Sequence, residues 1–172
     1  QYGGTLAYWI RSDPPGWDPW GRTRFWDPTR KIAELVFNPL YSPGPQVGDS
    51  CELELQPEIA ESWKYVSPTV LEFKIREGIK WHDLPPLNGR ALTADDVVYT
   101  LNERFVKGLA GKGYVGAEFY DRAEAVDAQT VRVHMKKPFS GFINAFTSGN
   151  RQGAIVPPEI TSEEDLKDPT KS

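Results

Sequence analysis

Ala60 to Asp83 reads AESWKYVSPTVLEFKIREGIKWHD, and the patterning of this stretch decides the fold class. Trp63, Lys64, Tyr65 and Val66 make a first extended piece, Ser67-Pro68-Thr69 breaks it, and a second run alternates strictly from Val70 to Arg76. Leu71, Phe73 and Ile75 share one face while Glu72, Lys74 and Arg76 share the other, which is the period-two signature of a half-buried strand. The stretch therefore predicts a β-hairpin, with Trp63, Leu71, Phe73, Ile75 and Trp81 in the core. Glu77-Gly78 ends the second strand, because glycine takes the positive φ that a tight turn often needs. Ile79 to Trp81 is a further short extended piece, and His82-Asp83 reads as a turn.

Downstream of the hairpin, Thr93 is placed to cap a helix, with Asp96 in the position that closes a capping box and puts negative charge at the positive helix end. Ala94, Val97, Val98, Leu101 and Phe105 then fall on one helical face. Asp95 and Asp96 are neighbours on that helix and point in different directions, so capping accounts for them better than acid–base chemistry on one substrate. Glu118 to Val126 and Gln129 to Met135 predict a second strand pair around Asp127-Ala128. In it Val131, Val133 and Met135 point inward and Thr130, Arg132 and His134 outward. Ser162-Glu163-Glu164 marks another helix start, and the charged end from Asp165 to Ser172 is expected to fray.

Upstream, Thr5 to Ile10 is β-rich and bounded by breakers, which predicts a buried strand running into a loop. Asp27-Pro28 is a strong helix start, and Ile32, Leu35, Val36 and Leu40 give an amphipathic helix of about three turns. Residues 46–56 read as an irregular connector. No internal repeat or low-complexity tract is evident.

With 172 residues, 39% hydrophobic and 26% charged, the chain has the composition of an ordinary globular domain. A formal net charge of −4 argues against a binder of nucleic-acid phosphates. The apolar runs fall far short of the roughly 18 residues that a transmembrane helix needs. No signal peptide is evident, and a start at Gln1 rather than Met suits a processed protein or a trimmed chain equally. Cys51 is the only cysteine and reads as an inert small side chain. His82 and His134 lack the partners of a zinc site. The glycines from Gly108 to Gly116 form a flexible link whose Gly-Lys-Gly lacks the ending of a phosphate loop. No nucleophile elbow, zinc-protease motif, dinucleotide fingerprint or phosphate loop supports an enzyme, and no metal or cofactor is expected.

The ordered series AESW, alternating strand, REGIKWHD and LTADDVVYTL, in one register from Ala60 to Leu101, resembles the family 5 extracellular solute-binding proteins. These are the peptide-, nickel- and oligosaccharide-type receptors of bacterial ABC importers. Gly3-Gly4-Thr5-Leu6 resembles the family's mature amino terminus, and Pro138 to Phe146 its short helix after a Lys-x-Pro-Phe step, with Phe139, Phe142, Ile143 and Phe146 as the apolar stripe. Ser67-Pro68-Thr69 replaces the usual hairpin turn and Leu84 to Asn88 is extra; both fall in loops, where insertion is tolerated.

The resemblance implies a mixed α/β (α+β) fold of the type II periplasmic-binding-protein kind. On that reading residues 1–172 are part of lobe one, with small mixed sheets and packed helices. Residues 1–45 carry the first strand, aromatic loop and helix, residues 46–172 the signature subdomain, and the second lobe is absent. An amino-terminal fragment with weak ligand binding of its own is the expectation.

The implied function is capture of peptides or a related solute, such as an oligosaccharide or nickel complex, for delivery to a membrane permease. The implied location is periplasmic or extracellular, as a monomer, with a lipid anchor before processing left open. Four of the six tryptophans lie in the first 26 residues, on a Pro- and Gly-rich loop that the family places at the cleft edge. Trp9, Ser12, Trp17 and Trp20 are the candidate ligand contacts, joined by Tyr114 from the glycine-rich link. The tryptophans would stack on a ligand, or would pin the loop to the domain body, since aromatics suit either role. The alternative is a non-catalytic structural or interaction domain that uses the same loop as a protein contact.

Overall fold

The computed structural model describes residues 4, 5, 7, 9, 12, 13, 19, 20, 33, 35–44, 54–105, 118–146 and 153–160. Its centre is an antiparallel sheet. The predicted hairpin forms as β3 (Ala60–Ser67) and β4 (Val70–Ile75), and the second strand pair as β5 (Tyr120–Asp127) and β6 (Thr130–Met135). The strand order is β3-β4-β6-β5. Leu71, Phe73, Ile75, Val131, Val133 and Met135 are all buried, so one face of both inner strands is the floor of the core. Gly78 ends β4 with φ +77°, a left-handed conformation that side chains with a Cβ resist.

The two hairpins are related by a local two-fold that the sequence conceals. β4 and β6 run antiparallel with Glu72 opposite Arg132 at the middle of their ladder. Ile75 N donates to Gln129 O at 2.7 Å, and Met135 N donates to Thr69 O at 2.8 Å, so the end of each inner strand is bonded to the turn of the other hairpin. Irregularities in register recur at matching places in β3 and β5. Strand pairing is made by backbone groups, so the same plan is reached by unlike side chains.

The outer face of this sheet carries a charge ladder. Glu72 accepts from Lys64 Nζ at 2.9 Å and from Arg132 Nε at 2.8 Å, while His134 Nε2 lies 2.9 Å from Glu124 Oε1. The Lys64 ammonium and the Arg132 guanidinium hold the Glu72 carboxyl below its ordinary value, as opposite charges and donors do.

On the inner face lies α1 (Ala94–Tyr99), continued by a wider π-helical turn over Thr100–Phe105. The Thr93 backbone N–H donates to Asp96 Oδ2 at 3.0 Å, one half of the predicted capping box. Ala94 N also donates to Ala128 O at 2.8 Å, which sets the helix start on the β5–β6 turn. Ala94, Val97, Leu101 and Phe105 are buried as the spacing predicts. A 3₁₀ helix, Ser140–Phe146, puts Phe142 and Ile143 into the same core, and Phe139 stacks on Phe119 with ring centroids 4.3 Å apart.

Several expectations are corrected. The helix before Pro39 ends at Val36, because Pro39 offers no N–H and disfavours helical geometry in the residue before it. Leu40 is therefore buried from a bend rather than from a helical face, while Leu35 and Val36 are exposed at 69% and 44%. At the described end of the connector, Leu55 and Gln56 are in a strand rather than irregular. β1 (Tyr41–Pro43) pairs antiparallel with β2 (Leu55–Pro57). Gly44 N donates to Glu54 O at 2.7 Å, a contact so close that a Cβ would clash with that carbonyl.

Thr5, Ala7 and Trp9 lie outside any strand and are exposed, so no sheet of the described residues covers them. Trp63 sits on the core side of β3 opposite Phe73, yet it remains exposed at the sheet edge. Trp81 is only partly buried against the core. Cys51, the Gly108–Gly116 link and the expected helix from Ser162 lie outside the described residues.

Candidate ligand-binding face

Of the five candidate contacts, Trp9, Ser12 and Trp20 lie among the described residues. Trp9 is 77% exposed, with Ser12 and Asp13 also at the surface. Trp17 and Tyr114 lie outside the described residues. Trp20 takes the packing role of the two weighed for the tryptophans. It is 2% exposed, its Nε1 donates to Ala154 O at 2.8 Å, and it meets the Phe105 ring edge-on with centroids 6.3 Å apart. Both the apolar ring and its one polar group are thereby satisfied. The aromatic loop is fastened at Trp20 and reaches the surface at Trp9.

The segment 153–160, which sequence patterning leaves without a role, proves to be the seam to which distant parts of the chain attach. Ala154 accepts from Trp20, and Ile155 N donates to Asn38 O at 3.1 Å. Val156 N donates to the buried Thr100 Oγ at 3.0 Å, and that hydroxyl donates back to Val156 O or to Asp96 O. Glu159 accepts twice from Arg90, at 2.6 and 2.7 Å. No periodicity announces such a segment, because its partners are backbone groups and side chains more than fifty residues away.

Arg90 also chelates Asp96, with Nη1 to Oδ2 at 2.9 Å and Nη2 to Oδ1 at 2.7 Å. Trp81 Nε1 donates to the same Oδ2 at 3.2 Å, and the guanidinium lies 5.9 Å from the Trp81 ring centroid. Burial pushes the Asp96 carboxyl up, but hydrogen bonds from Arg90, the Thr93 N–H and Trp81 outweigh it and hold the group below its usual value. Arg90 does the same for Glu159, and both carboxylates raise the guanidinium further. Asp96 thus has both oxygens taken up by cap, tryptophan and arginine, and its work is structural.

Beside this network lies a groove of about 350 Å³, lined largely by apolar side chains including Val36, Ile59, Trp81, Leu84, Leu92 and Ile155. Glu58, Arg76, Lys80 and His82 contribute polar atoms to the lining. Among the described residues no cluster of three His, Cys, Asp or Glu could hold a metal ion. None of their helices is long and apolar enough to cross a membrane.

The model of the bacterial extracellular solute-binding proteins, family 5 (middle), matches residues 54–171, more than half of the chain. The chain belongs to that family. No curated protein matches it. Solved structures do. The mannohexaose-bound periplasmic oligopeptide-binding protein of an oligopeptide ABC transporter from Thermotoga maritima is 28% identical, with a TM-score of 0.67 over 91% of this chain and 26% of its own. A solute-binding protein from A. tumefaciens R10 in complex with mannopinic acid is 24% identical, with a TM-score of 0.70 over 90% and 30%. The oligopeptide-binding protein AppA from Bacillus subtilis, in complex with a nonapeptide, is 24% identical, with a TM-score of 0.65 over 90% and 28%. The last two, below 25% identity, speak to the fold alone. This family 5 chain therefore has the mixed α/β fold of the periplasmic binding proteins and spans between 26% and 30% of these relatives' own lengths.

Proposed function

We propose that this chain is part of lobe one of the substrate-binding component of an ABC importer, which captures a peptide or related small solute outside the cytoplasm and hands it to a membrane permease. The observation that carries the reading is the family match over residues 54–171, on a fold shared with binding proteins of ABC transporters. The part it would play is binding, with no chemical step. In such a receptor two lobes close on the solute, which requires the solute to bind the closed form better than the open one. The receptor works as a monomer, in the periplasm or at the cell exterior.

Trp9, Ser12 and Trp17 from the aromatic loop, with Tyr114, are the ligand contacts in this reading, and Trp20 anchors the loop to the domain. The exposure of Trp9 and the burial of Trp20 support that division of labour. A peptide would be held through its backbone groups, and a sugar against the tryptophan faces. Thermal unfolding of the full-length receptor with panels of peptides and oligosaccharides tests the reading. A true ligand at a hundred times its Kd stabilises the native state by about 2.7 kcal/mol. No shift with any member of either class, at saturating concentration, would count against it.

A further inference from the structure

Thr100 reaches beyond its own helix. A helical threonine can satisfy its hydroxyl on the carbonyl four residues back, and Asp96 O lies 3.0 Å away for that purpose. Yet the fully buried Thr100 Oγ also lies 2.9 Å from Val156 O and accepts from Val156 N at 3.0 Å. One hydroxyl therefore grips both backbone groups of a single seam residue. Two residues before it, Ala154 O takes the indole N–H of Trp20.

The helix also widens at this residue. α1 ends at Tyr99, and the π-helical turn runs from Thr100 to Phe105. In an α-helix, residues five apart lie about 140° apart around the axis, whereas the i→i+5 bonding of a π turn brings them towards one side. Phe105, at the far end of the turn, is the ring that Trp20 meets edge-on. Both ends of the turn thus converge on Trp20, one through Val156 and Ala154 and the other directly. Between them, Asn102 is fastened to the backbone of Ala123 on β5 by two hydrogen bonds, so the sheet backs the turn. Turns of this kind are rare and recur at functional sites. Pro19 is buried beside Trp20 in the chain and has a fixed φ. Trp17 follows as the third residue upstream, within roughly 10 Å of chain.

We infer that the π turn Thr100–Phe105 is the seat that positions the solute-binding loop, with Thr100 and Phe105 as positioning residues acting through Trp20. The inference rests on the reading of the chain as part of a solute receptor in which Trp17 touches the solute.

The test uses the full-length receptor labelled with 5-fluorotryptophan, its fluorine resonances assigned by replacing each tryptophan singly with phenylalanine. Thr100→Val is expected to shift or broaden the Trp20 and Trp17 resonances and to leave that of Trp63, on β3, in place. Thr100→Ser keeps the hydroxyl and should restore the wild-type spectrum, while Phe105→Leu should disturb the same two resonances. Val133→Ala opens a cavity in the sheet and controls for lost stability alone; it should leave Trp17 unmoved. An unmoved Trp17 in Thr100→Val, or equal movement in Val133→Ala, overturns the seat. Solute binding is then followed by thermal shift with peptide and oligosaccharide panels that include trialanine and mannohexaose. Thr100→Val should weaken every solute that the wild type binds by about three- to tenfold, as loss of one aromatic contact does, and Thr100→Ser by less than about twofold. Unchanged affinity beside a displaced Trp17 resonance overturns the positioning role. A displaced Trp17 resonance with no response of the wild type to any solute leaves the seat standing and defeats the receptor reading alone.

Discussion

Hairpins β3–β4 and β5–β6 share one backbone plan and fill it in opposite ways. On the inner face of β3, Trp63 lies opposite Phe73 and Tyr65 opposite Leu71; the counterparts on β5 are Ala123 opposite Val133 and Ala125 opposite Val131. The difference follows what lies above each edge. The helical layer over Ala94–Phe105 packs chiefly on β5 and β6, and the small side chain of the buried Ala123 leaves room for it to approach. Over β3 the aromatic pair, in edge-to-face contact at 5.9 Å, forms the cover itself and stays exposed.

The edges are finished differently as well. Asn102 of the π turn donates to Ala123 O at 2.9 Å and accepts from Ala123 N at 3.0 Å, so its amide pairs with β5 like a further strand residue. Tyr120 donates to the same Asn102 oxygen at 2.6 Å. β3 is instead tied down at its start, where Ala60 N donates to Leu40 O at 3.2 Å. Two copies of one architecture thus reach stability by different side chains, which is why the pair is invisible as a sequence repeat.

The largest test of this contrast is Phe73→Ala, which leaves a cavity at a fully buried site and should cost about 3–5 kcal/mol in urea unfolding. Trp63→Ala, at the facing position, should cost clearly less. Equal losses would show that the β3 edge is core after all. Asn102→Ala strips partners from the Ala123 backbone and the Tyr120 hydroxyl, and an unfolding loss of about 1–3 kcal/mol is expected. Loss within error of zero would mean that water replaces the amide freely.

Ala123→Leu should overpack the helix seat by roughly 1–3 kcal/mol, whereas Trp63→Leu at its counterpart, with open space beside it, should change stability by less. A reversal of that order would remove the helix as the cause. The smallest effect is electrostatic. Folding lowers the Asp96 carboxyl below its unfolded value, so its stabilisation is present above that unfolded value and is lost as pH falls through the folded one. Asp96→Asn should therefore flatten the decline of stability below the ordinary carboxylate range, and an unchanged acid profile would place that decline on other groups. In the ligand loop, Trp17→Ala is expected to weaken solute binding by roughly 0.5–1.5 kcal/mol with little change in melting, and Trp20→Ala to lower melting.

Both hairpins and the capped helix were legible from alternation, turn residues and the Thr93–Asp96 pair, because those signals depend on neighbours in the chain. Leu71, Phe73, Ile75, Val131, Val133 and Met135 could be assigned to the core on spacing alone. The same alternation misplaced Trp63, since period two reports the side of a sheet and not whether anything covers that side. Pro39 is a local helix breaker, yet the strand beginning at Tyr41 depends on pairing with Leu55–Pro57. In the candidate site, composition singled out the tryptophans without dividing them; burial of Trp20 beneath Ala154 and exposure of Trp9 did that.

What the sequence determined by itself is local: strands, turns, the cap, and a family signature whose residues make framework. The tertiary structure alone decided the long-range matters. It placed segment 153–160 as the seam and joined Arg90 to both Asp96 and Glu159. It also set the two hairpins about one axis and left the Trp81 groove open. Each of these rests on hydrogen bonds or packing between residues far apart in the chain, where no periodicity links the partners and only the folded backbone brings them within reach.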